Sequence, residues 1–420
     1  MSNKYFKKYW PLTKKNELTT NILTLLKSGA FAQILPILCM PLLTRIYTPN
    51  EFGIFILYTS IVLSLIPIAG LRYDYGIILP KKHQTAWHLM ALTIKIIFIF
   101  SIICLVFFSS FKNEISHLLG NADLAIWLPL IGINILILGI TQSITFWFNR
   151  HKQYSTIANQ RMLQSISTNG SQITLGLGLN FGVSGLILGN LIGQAIALIY
   201  SIRKLTPQKI QKKYPMLNRK LLSHFKNLPL YNAPTALIDA LRLNGINILL
   251  SIFFTVSVLG QFALAWRILQ GPISLINGAL SQVYYQHFTQ LKQDDLHRFL
   301  LSCIKKSFLI GIVPFVLLFL LSEWLFTTFF GSSWQLAGQI CSVLTPWLFF
   351  NFITSPISSI YVVLKQERVL LIFSIFYMLV PLSIIFLFND NIIKTLTLVS
   401  ISMSFLLCIF TYMALKLTKK

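Results

Sequence analysis

The sequence predicts an all-α integral membrane protein of about twelve transmembrane helices, arranged as two six-helix bundles around a central cavity. Three observations carry that prediction. Of 420 residues, 55% are hydrophobic and only 11% are charged, against about 25% charged in soluble domains. Mean hydropathy is +0.69. Apolar runs of the roughly 20 residues needed to cross a bilayer recur along the whole chain. Lipid cannot satisfy backbone N–H and C=O groups, so spans are helices or closed barrels. Barrel strands alternate apolar and polar residues, whereas the run from Ile94 to Phe108 does not alternate.

Taken in order, the apolar runs place spans at 22–46, 53–70, 85–109, 125–148, 162–180 and 185–202, then at 231–254, 261–286, 307–330, 337–363, 369–388 and 392–415. The first is too long for the apolar region of a signal peptide. Thr44-Arg45-Ile46 stands where a small-x-small cleavage site would follow.

Charge sets the orientation. One set of connections carries Lys4, Lys7, Lys8, Lys14 and Lys15, then Arg72, Lys81 and Lys82, then Arg150, Lys152 and Arg161. The same side holds eight basic residues between Arg203 and Lys226, then Lys292, Arg298, Lys305 and Lys306, then Lys365 and Arg368, and finally Lys416, Lys419 and Lys420. The opposite connections carry only Arg45, Lys112 and Lys394. The positive-inside rule therefore puts both termini in the cytoplasm of a multi-pass protein. The net charge of +24 mainly reflects this asymmetry and its contact with anionic headgroups. It is not a nucleic-acid footprint, because no loop is long enough to form a binding module.

The organisation is a cytoplasmic segment 1–21, a bundle 22–202, a basic linker 203–230, a second bundle 231–415 and a tail 416–420. A repeat supports the two halves. Tyr47-Thr48-Pro49-Asn50-Glu51-Phe52-Gly53-Ile54-Phe55 follows span one, and Phe254-Thr255-Val256-Ser257-Val258-Leu259-Gly260-Gln261-Phe262 follows span seven, with Thr, Gly and Phe coinciding at equivalent places. Parallel halves of this kind recur in transport proteins.

Several chemistries have no foothold. Cys39, Cys104, Cys303, Cys341 and Cys408 form no CxxC pair and read as small apolar residues. The histidines show no HExxH and no metal-ligand spacing, and no phosphate loop occurs. The sequence therefore predicts no metal site, no cofactor and no catalytic residue. No outward loop is long enough for a membrane polymerase or glycosyltransferase, so an enzyme of glycan assembly is the weaker class.

Polarity within the spans is the informative remainder, since a charge at the bilayer centre costs about 2.5–3.5 kcal/mol on the insertion scale. Lys95 lies inside span three, Asp239 and Arg242 inside span seven, and Arg267 inside span eight; Lys27 lies near the inner end of span one. Asp239 and Arg242 share a helical face at i,i+3. Span eight repeats Arg267, Gln270, Gly271, Ser274, Asn277, Gly278 and Ser281 at helical spacing. Span five repeats Gln164, Ser167, Thr168, Ser171, Thr174 and Gly178. Such stripes face protein or water, never lipid. Small-residue helix packing is the plain alternative to a cavity wall. The expected site is a cationic cavity of Lys27, Lys95, Arg242 and Arg267, lined by Gln164, Ser171, Gln270, Ser274 and Asn277, with Asp239 as a group for ion coupling.

The motifs carry a resemblance. Leu25-Leu26-Lys27-Ser28-Gly29 opens span one, and Leu43-Thr44-Arg45-Ile46-Tyr47-Thr48-Pro49-Asn50-Glu51-Phe52-Gly53 closes it and enters span two. Leu71-Arg72-Tyr73-Asp74 and Ile77-Ile78-Leu79-Pro80-Lys81 follow span two, and Gly260-Gln261-Phe262-Ala263-Leu264-Ala265-Trp266-Arg267-Ile268-Leu269 opens span eight. The chain resembles the polysaccharide-transporter family, the O-antigen and related flippases of the multidrug/oligosaccharidyl-lipid/polysaccharide exporter superfamily. The resemblance implies translocation of undecaprenyl-pyrophosphate-linked oligosaccharide across the bacterial inner membrane by alternating access, serving lipopolysaccharide or capsule biosynthesis. It implies membrane lipids and other polysaccharide-assembly proteins as partners. It places Arg45, Arg72 and Arg267 on the family's recurrent basic positions. A small-molecule or drug antiporter of the same superfamily is the alternative; for cationic drugs it predicts an acidic cavity, the reverse of the cations seen here.

Overall fold

The computed structural model describes residues 31–179, 181–205, 222–291 and 293–419. The described residues are overwhelmingly helical and contain no strand. Lys27, the segment 1–21 and most of the basic linker lie outside them.

The long helices are α1 (Phe31–Ile46), α2 (Pro49–Ala69), α4 (His83–Ser110), α6 (Leu130–Arg150), α7 (Tyr154–Leu179) and α8 (Val183–Lys204). After the linker come α9 (Ala233–Phe253), α10 (Val256–Gln290), α11 (Gln293–Phe330), α12 (Gln335–Ile357), α14 (Glu367–Leu387) and α15 (Ile392–Thr418). Short helices α3 (Tyr73–Gly76), α5 (Lys112–Leu118) and α13 (Ile360–Val363) lie in connections. Each of the twelve expected spans overlaps a long helix among the described residues, with residues 22–30 of the first lying outside them.

Among the described residues nine helices are long and apolar enough to cross a membrane. The other three are α1, described only in part, and α7 and α10, the two helices on which the sequence shows polar stripes. Helix ends differ from the apolar runs where a cap sits outside the run. Helix α10 begins at Val256 because the Thr255 side chain accepts a hydrogen bond from Val258 N. Helix α11 starts fourteen residues before the expected span, at Gln293, because the backbone ladder continues through polar residues that the hydropathy window excludes.

Outward faces of α4 (Phe98, Ile99, Ile102, Ile103, Val106), α11 (Leu309, Ile310, Val313, Leu317, Leu320) and α14 (Leu371, Ile372, Phe376, Leu379, Phe386) are exposed and apolar. Water would not tolerate such surface; lipid does. This is a multi-pass membrane protein.

The chain forms two compact units, one from Met1–Cys39, Ile61–Ile115 and Leu124–Leu241, the other from Met40–Ser60, Ser116–Asp123 and Arg242–Lys420. In the first, Ile77, Ala86, Met90, Ile144, Trp147, Phe148 and Ile157 form a buried core joining α4, α6 and α7. In the second, Phe288, Leu300, Ile357, Tyr361 and Phe410 do the same for α10, α11, α12 and α15, with the Tyr361 hydroxyl donating to Phe410 O at 2.5 Å.

Within the second unit the sequence repeat acquires a physical meaning. The first turns of α2 and α10 cross so closely that a Cβ on Gly53 would lie 1.8 Å from Val256 O, and one on Gly260 would lie 2.0 Å from Pro49 O. The repeat carries Pro49 onto Val256 and Gly53 onto Gly260, so each contact is the image of the other. Each helix start is capped by the matching threonine. Thr48 N donates to Glu51 Oε2 at 2.7 Å while Glu51 N donates to Thr48 Oγ1 at 3.4 Å, a capping box; Thr255 keeps half of it toward Val258. Only glycine lets two helix backbones meet this tightly.

Candidate functional site

The second unit holds the richest meeting of cationic, aromatic and amide groups. Arg242 on α9 and Arg267 on α10 are both half-buried. The Arg242 guanidinium lies close enough to the Tyr377 hydroxyl of α14 to act on it electrostatically. That hydroxyl accepts from Trp347 Nε1 at 2.9 Å and from Asn351 Nδ2 at 3.2 Å, both on α12. With two donors on its oxygen, the phenol's own hydrogen is left to donate. Trp347 stands edge-on to Tyr377 at 6.2 Å and meets Trp266 of α10 at 5.1 Å; Trp266 in turn stacks on Phe262 at 5.9 Å.

Helix α10 brings the expected polar stripe to the same group. Asn277 is buried and donates weakly from Nδ2 to Asn351 O at 3.5 Å. The amide oxygens of Asn277 and Gln270, two helical turns apart, are buried and make no hydrogen bond among the described residues. An orphaned amide oxygen of this kind costs about 1–3 kcal/mol and invites a donor from a ligand or water. Ser274, between them, is exposed and turns its hydroxyl back to Gly271 O. A Cβ on Gly278 would meet nothing within 4 Å, so close helix packing does not account for that glycine.

Packing does account for much of the α7 stripe. Helix α8 lies against it so closely that a Cβ on Gly193 would meet Thr168 Oγ1 at 2.0 Å and one on Gly189 would meet Gln172 N at 2.8 Å. Gln172 Nε2 donates to Leu186 O of α8 at 3.0 Å, and Asn169 Nδ2 to Ser165 O at 2.7 Å. The predicted lining residues Gln164 and Ser171 are half-buried beside this contact.

Lys95 on α4 and Asp239 on α9 are exposed side chains. Arg45, at the end of α1, is exposed and donates from Nη2 to Thr328 O of α11 at 3.0 Å, a tie between helix ends in the second unit. Arg72 has a left-handed backbone, φ 61°, and lays its guanidinium over the Tyr75 ring at 4.4 Å. Lys27 is outside the described residues.

Tyr377, Trp347 and Asn351 are absent from the sequence-based expectation, and Trp266 enters it only within a motif. Aromatic residues in an apolar run read as core or lipid face, and only their polar edges hint at another role. Asp74 was legible only as part of a motif. It is buried beneath α4 and α6 in the first unit, and Gln142 Nε2 donates to its Oδ2 at 2.5 Å.

A protein-family model described as polysaccharide biosynthesis protein matches residues 42–339. The lipid II flippase MurJ, in an inward closed conformation, superposes with a TM-score of 0.76 at 16% identity, covering 94% of this chain and 87% of that one. A multidrug resistance MATE family transporter of the MOP superfamily, inward-facing, gives 0.63 at 15% identity over 94% and 93%. A MOP superfamily transporter from Pyrococcus furiosus, with a binding pocket of reverse polarity, gives 0.54 at 14% identity over 95% and 96%. These likenesses show a shared fold. A search among curated protein sequences returns no match.

Proposed function

Because this chain belongs to the polysaccharide biosynthesis protein family, we propose that it is a flippase for undecaprenyl-pyrophosphate-linked oligosaccharide, moving repeat units of O-antigen or capsule type across the bacterial inner membrane by alternating access. Both termini lie in the cytoplasm in this reading, as the distribution of Lys and Arg requires. The substrate is the lipid-linked glycan, other polysaccharide-assembly proteins are its neighbours, and the protein performs transport without catalysis.

The observation that carries the proposal is the conjunction in the second unit of half-buried Arg242 and Arg267 with the Trp266–Trp347–Tyr377 shelf. Pyrophosphate cannot enter hydrocarbon without replacing its hydration. Guanidinium groups supply charge-assisted, fork-shaped hydrogen bonds that do so. Sugar rings offer apolar C–H faces that settle on aromatic rings, while their hydroxyls take donors and acceptors such as Gln270 Oε1, Asn277 Oδ1 and the Tyr377 hydroxyl. The polyprenyl tail stays in lipid. Lys27, Lys95, Gln164, Ser171 and Ser274 remain part of the proposed cationic, polar path.

The test is genetic and chemical together. The gene is deleted in its host, and both surface polysaccharide and the inner-leaflet pool of lipid-linked repeat unit are followed. Complementation uses the wild type, Arg242→Ala and Arg267→Ala at matched expression. Accumulation of the lipid-linked unit on deletion, rescued by the wild type and by neither variant, is the expected result. Normal surface glycan after deletion, in a host with no second such transporter, refutes the reading. Increased sensitivity to cationic drugs instead supports the antiporter.

A further inference from the structure

Among the described side chains Asp74 is the acidic residue that is buried, at 4% exposure. It sits in α3, which packs against α4, α6 and the Leu228–Asn232 turn. Its neighbours Tyr73 and Ile77 and the facing Leu89 are also buried. Asp74 Oδ2 takes the Gln142 amide; Oδ1 is buried and makes no hydrogen bond among the described residues. A carboxylate so placed is expensive, since burial removes water and one neutral donor returns little of it.

The cations nearby are engaged elsewhere. Arg150, in the last turn of α6, gives Nη1 to Ile78 O at 2.9 Å and to Ile77 O at 3.3 Å, and Nη2 to Lys81 O at 3.4 Å. Arg72 stacks on Tyr75 and acts on Asp74 only through space. The other titratable groups on the surrounding elements are Tyr73 and Tyr75 beside it, His83, His88, Lys95 and Cys104 of α4, and His224, Lys226 and Tyr231 around the Leu228 turn; none acts appreciably on the carboxyl. Burial is the largest influence and raises its pKa above the usual range, against smaller opposing pulls from Gln142, Arg72 and the Tyr75 and Asp74 backbone.

The turn that holds Asp74 is also strained. Leu71 and Arg72 are consecutive non-glycine residues in the left-handed region, φ 48° and 61°, and each such residue costs about 1–3 kcal/mol unless its surroundings impose it. Asp74 is seated just beyond them, and Arg150 grips the carbonyls that follow.

We propose that the Asp74–Gln142 pair is a proton-binding site: the carboxyl is held as the neutral acid in this arrangement, and losing its proton frees the Leu71–Ile77 turn to carry the charge toward Arg72 and water. The site would give the protein a driving ion, the proton, at the end of α2 and α4 where the basic connections lie. Its consequence for transport rests on the flippase reading; proton binding itself does not, and it is measured without substrate.

The experiment uses the full-length protein in lipid nanodiscs. Infrared difference spectra between acidic and alkaline pH report the carbonyl stretch of a protonated carboxyl, and hydrogen–deuterium exchange, corrected for intrinsic rate, reports residues 70–80. The expected wild-type result is a carboxyl band that disappears as pH rises, together with faster exchange in the turn. In Asp74→Asn the band is missing and the turn exchanges slowly at both pH values. Should Asp74→Asn fail to fold, Gln142→Leu decides: loss of a donor to the charged form moves the band's titration to higher pH. A wild-type band that does not change with pH, a band that persists in Asp74→Asn, or a titration unmoved in Gln142→Leu overturns the proposal. So does a spectrum that responds to sodium ions at constant pH and not to protons. Loss of surface glycan in the deletion strain with no proton site here leaves the flippase reading intact and removes only this inference.

Discussion

Adding one methyl group at Gly53 should part the crossing of α2 and α10. A Cβ there would lie 1.8 Å from Val256 O and 2.6 Å from Val256 C. Both obstacles are backbone atoms of a helix, so no side chain can swing aside. Restoring even a tight contact of about 3.0 Å moves one helix start by roughly 1.2 Å, and overpacking of this kind costs about 1–3 kcal/mol. At about 2 kcal/mol the balance between the clamped and parted arrangements moves some 30-fold, since 1.4 kcal/mol is tenfold. Gly260→Ala meets Pro49 O at 2.0 Å and should act alike. The two are in contact, so the double variant should cost less than their sum. The assay places spin labels at Asn50 and Ser257, equivalent positions of the repeat, in a background where the five cysteines are replaced. Pulsed electron–electron resonance then reads the distance distribution. Alanine also raises helix propensity by about 1 kcal/mol over glycine, so Gly278→Ala, where a Cβ meets nothing, is the control. The expected result is a new longer-distance population in Gly53→Ala and Gly260→Ala and none in Gly278→Ala. An unchanged distribution in a folded, monodisperse Gly53→Ala protein refutes the reasoning, as does an equal change in the control.

Two further outcomes follow from the same geometry. Tyr377→Phe strips the acceptor from Trp347 Nε1 and Asn351 Nδ2; each donor left unpaired costs about 1–3 kcal/mol, so thermal unfolding in detergent should move clearly downward, and an unmoved midpoint means water already serves those donors. Asp74 gives a pH slope of defined sign. Burial raises its pKa in the folded protein while the unfolded chain titrates near about 3.9, so the folded state holds the proton longer. Below about pH 3.9 both states are protonated and nothing is lost; as pH rises from there through the folded value, stability falls. Melting midpoints across that range should fall less steeply for Asp74→Asn than for the wild type, and parallel slopes would show that Asp74 is not held neutral.

Much of the architecture was legible in the sequence, and some of the site. Hydropathy is a one-dimensional property, and a bilayer enforces it along each spanning helix separately, so all twelve spans and their order are readable without knowing any contact. The polar stripe of α10 was readable for the same reason, because Gln270, Ser274 and Asn277 violate the rule at helical spacing. Lipid also masks the interior: it accepts apolar side chains on every face, so no pattern tells Trp347 on a buried face from Trp324 on an exposed one.

The chain alone therefore determined the helical class, the spans, the charge asymmetry and a repeat of nine residues, since each follows from local composition. Only the tertiary structure decided how each helix is rotated about its axis. That rotation buries Asp74 under α4 and α6 while leaving Lys95 and Asp239 exposed. It also draws Tyr377 to Trp347 and Asn351 from another helix, and sets Gly53 against Val256 and Gly260 against Pro49. Rotation is fixed by packing between segments far apart in the chain, and a run of apolar letters carries no record of it.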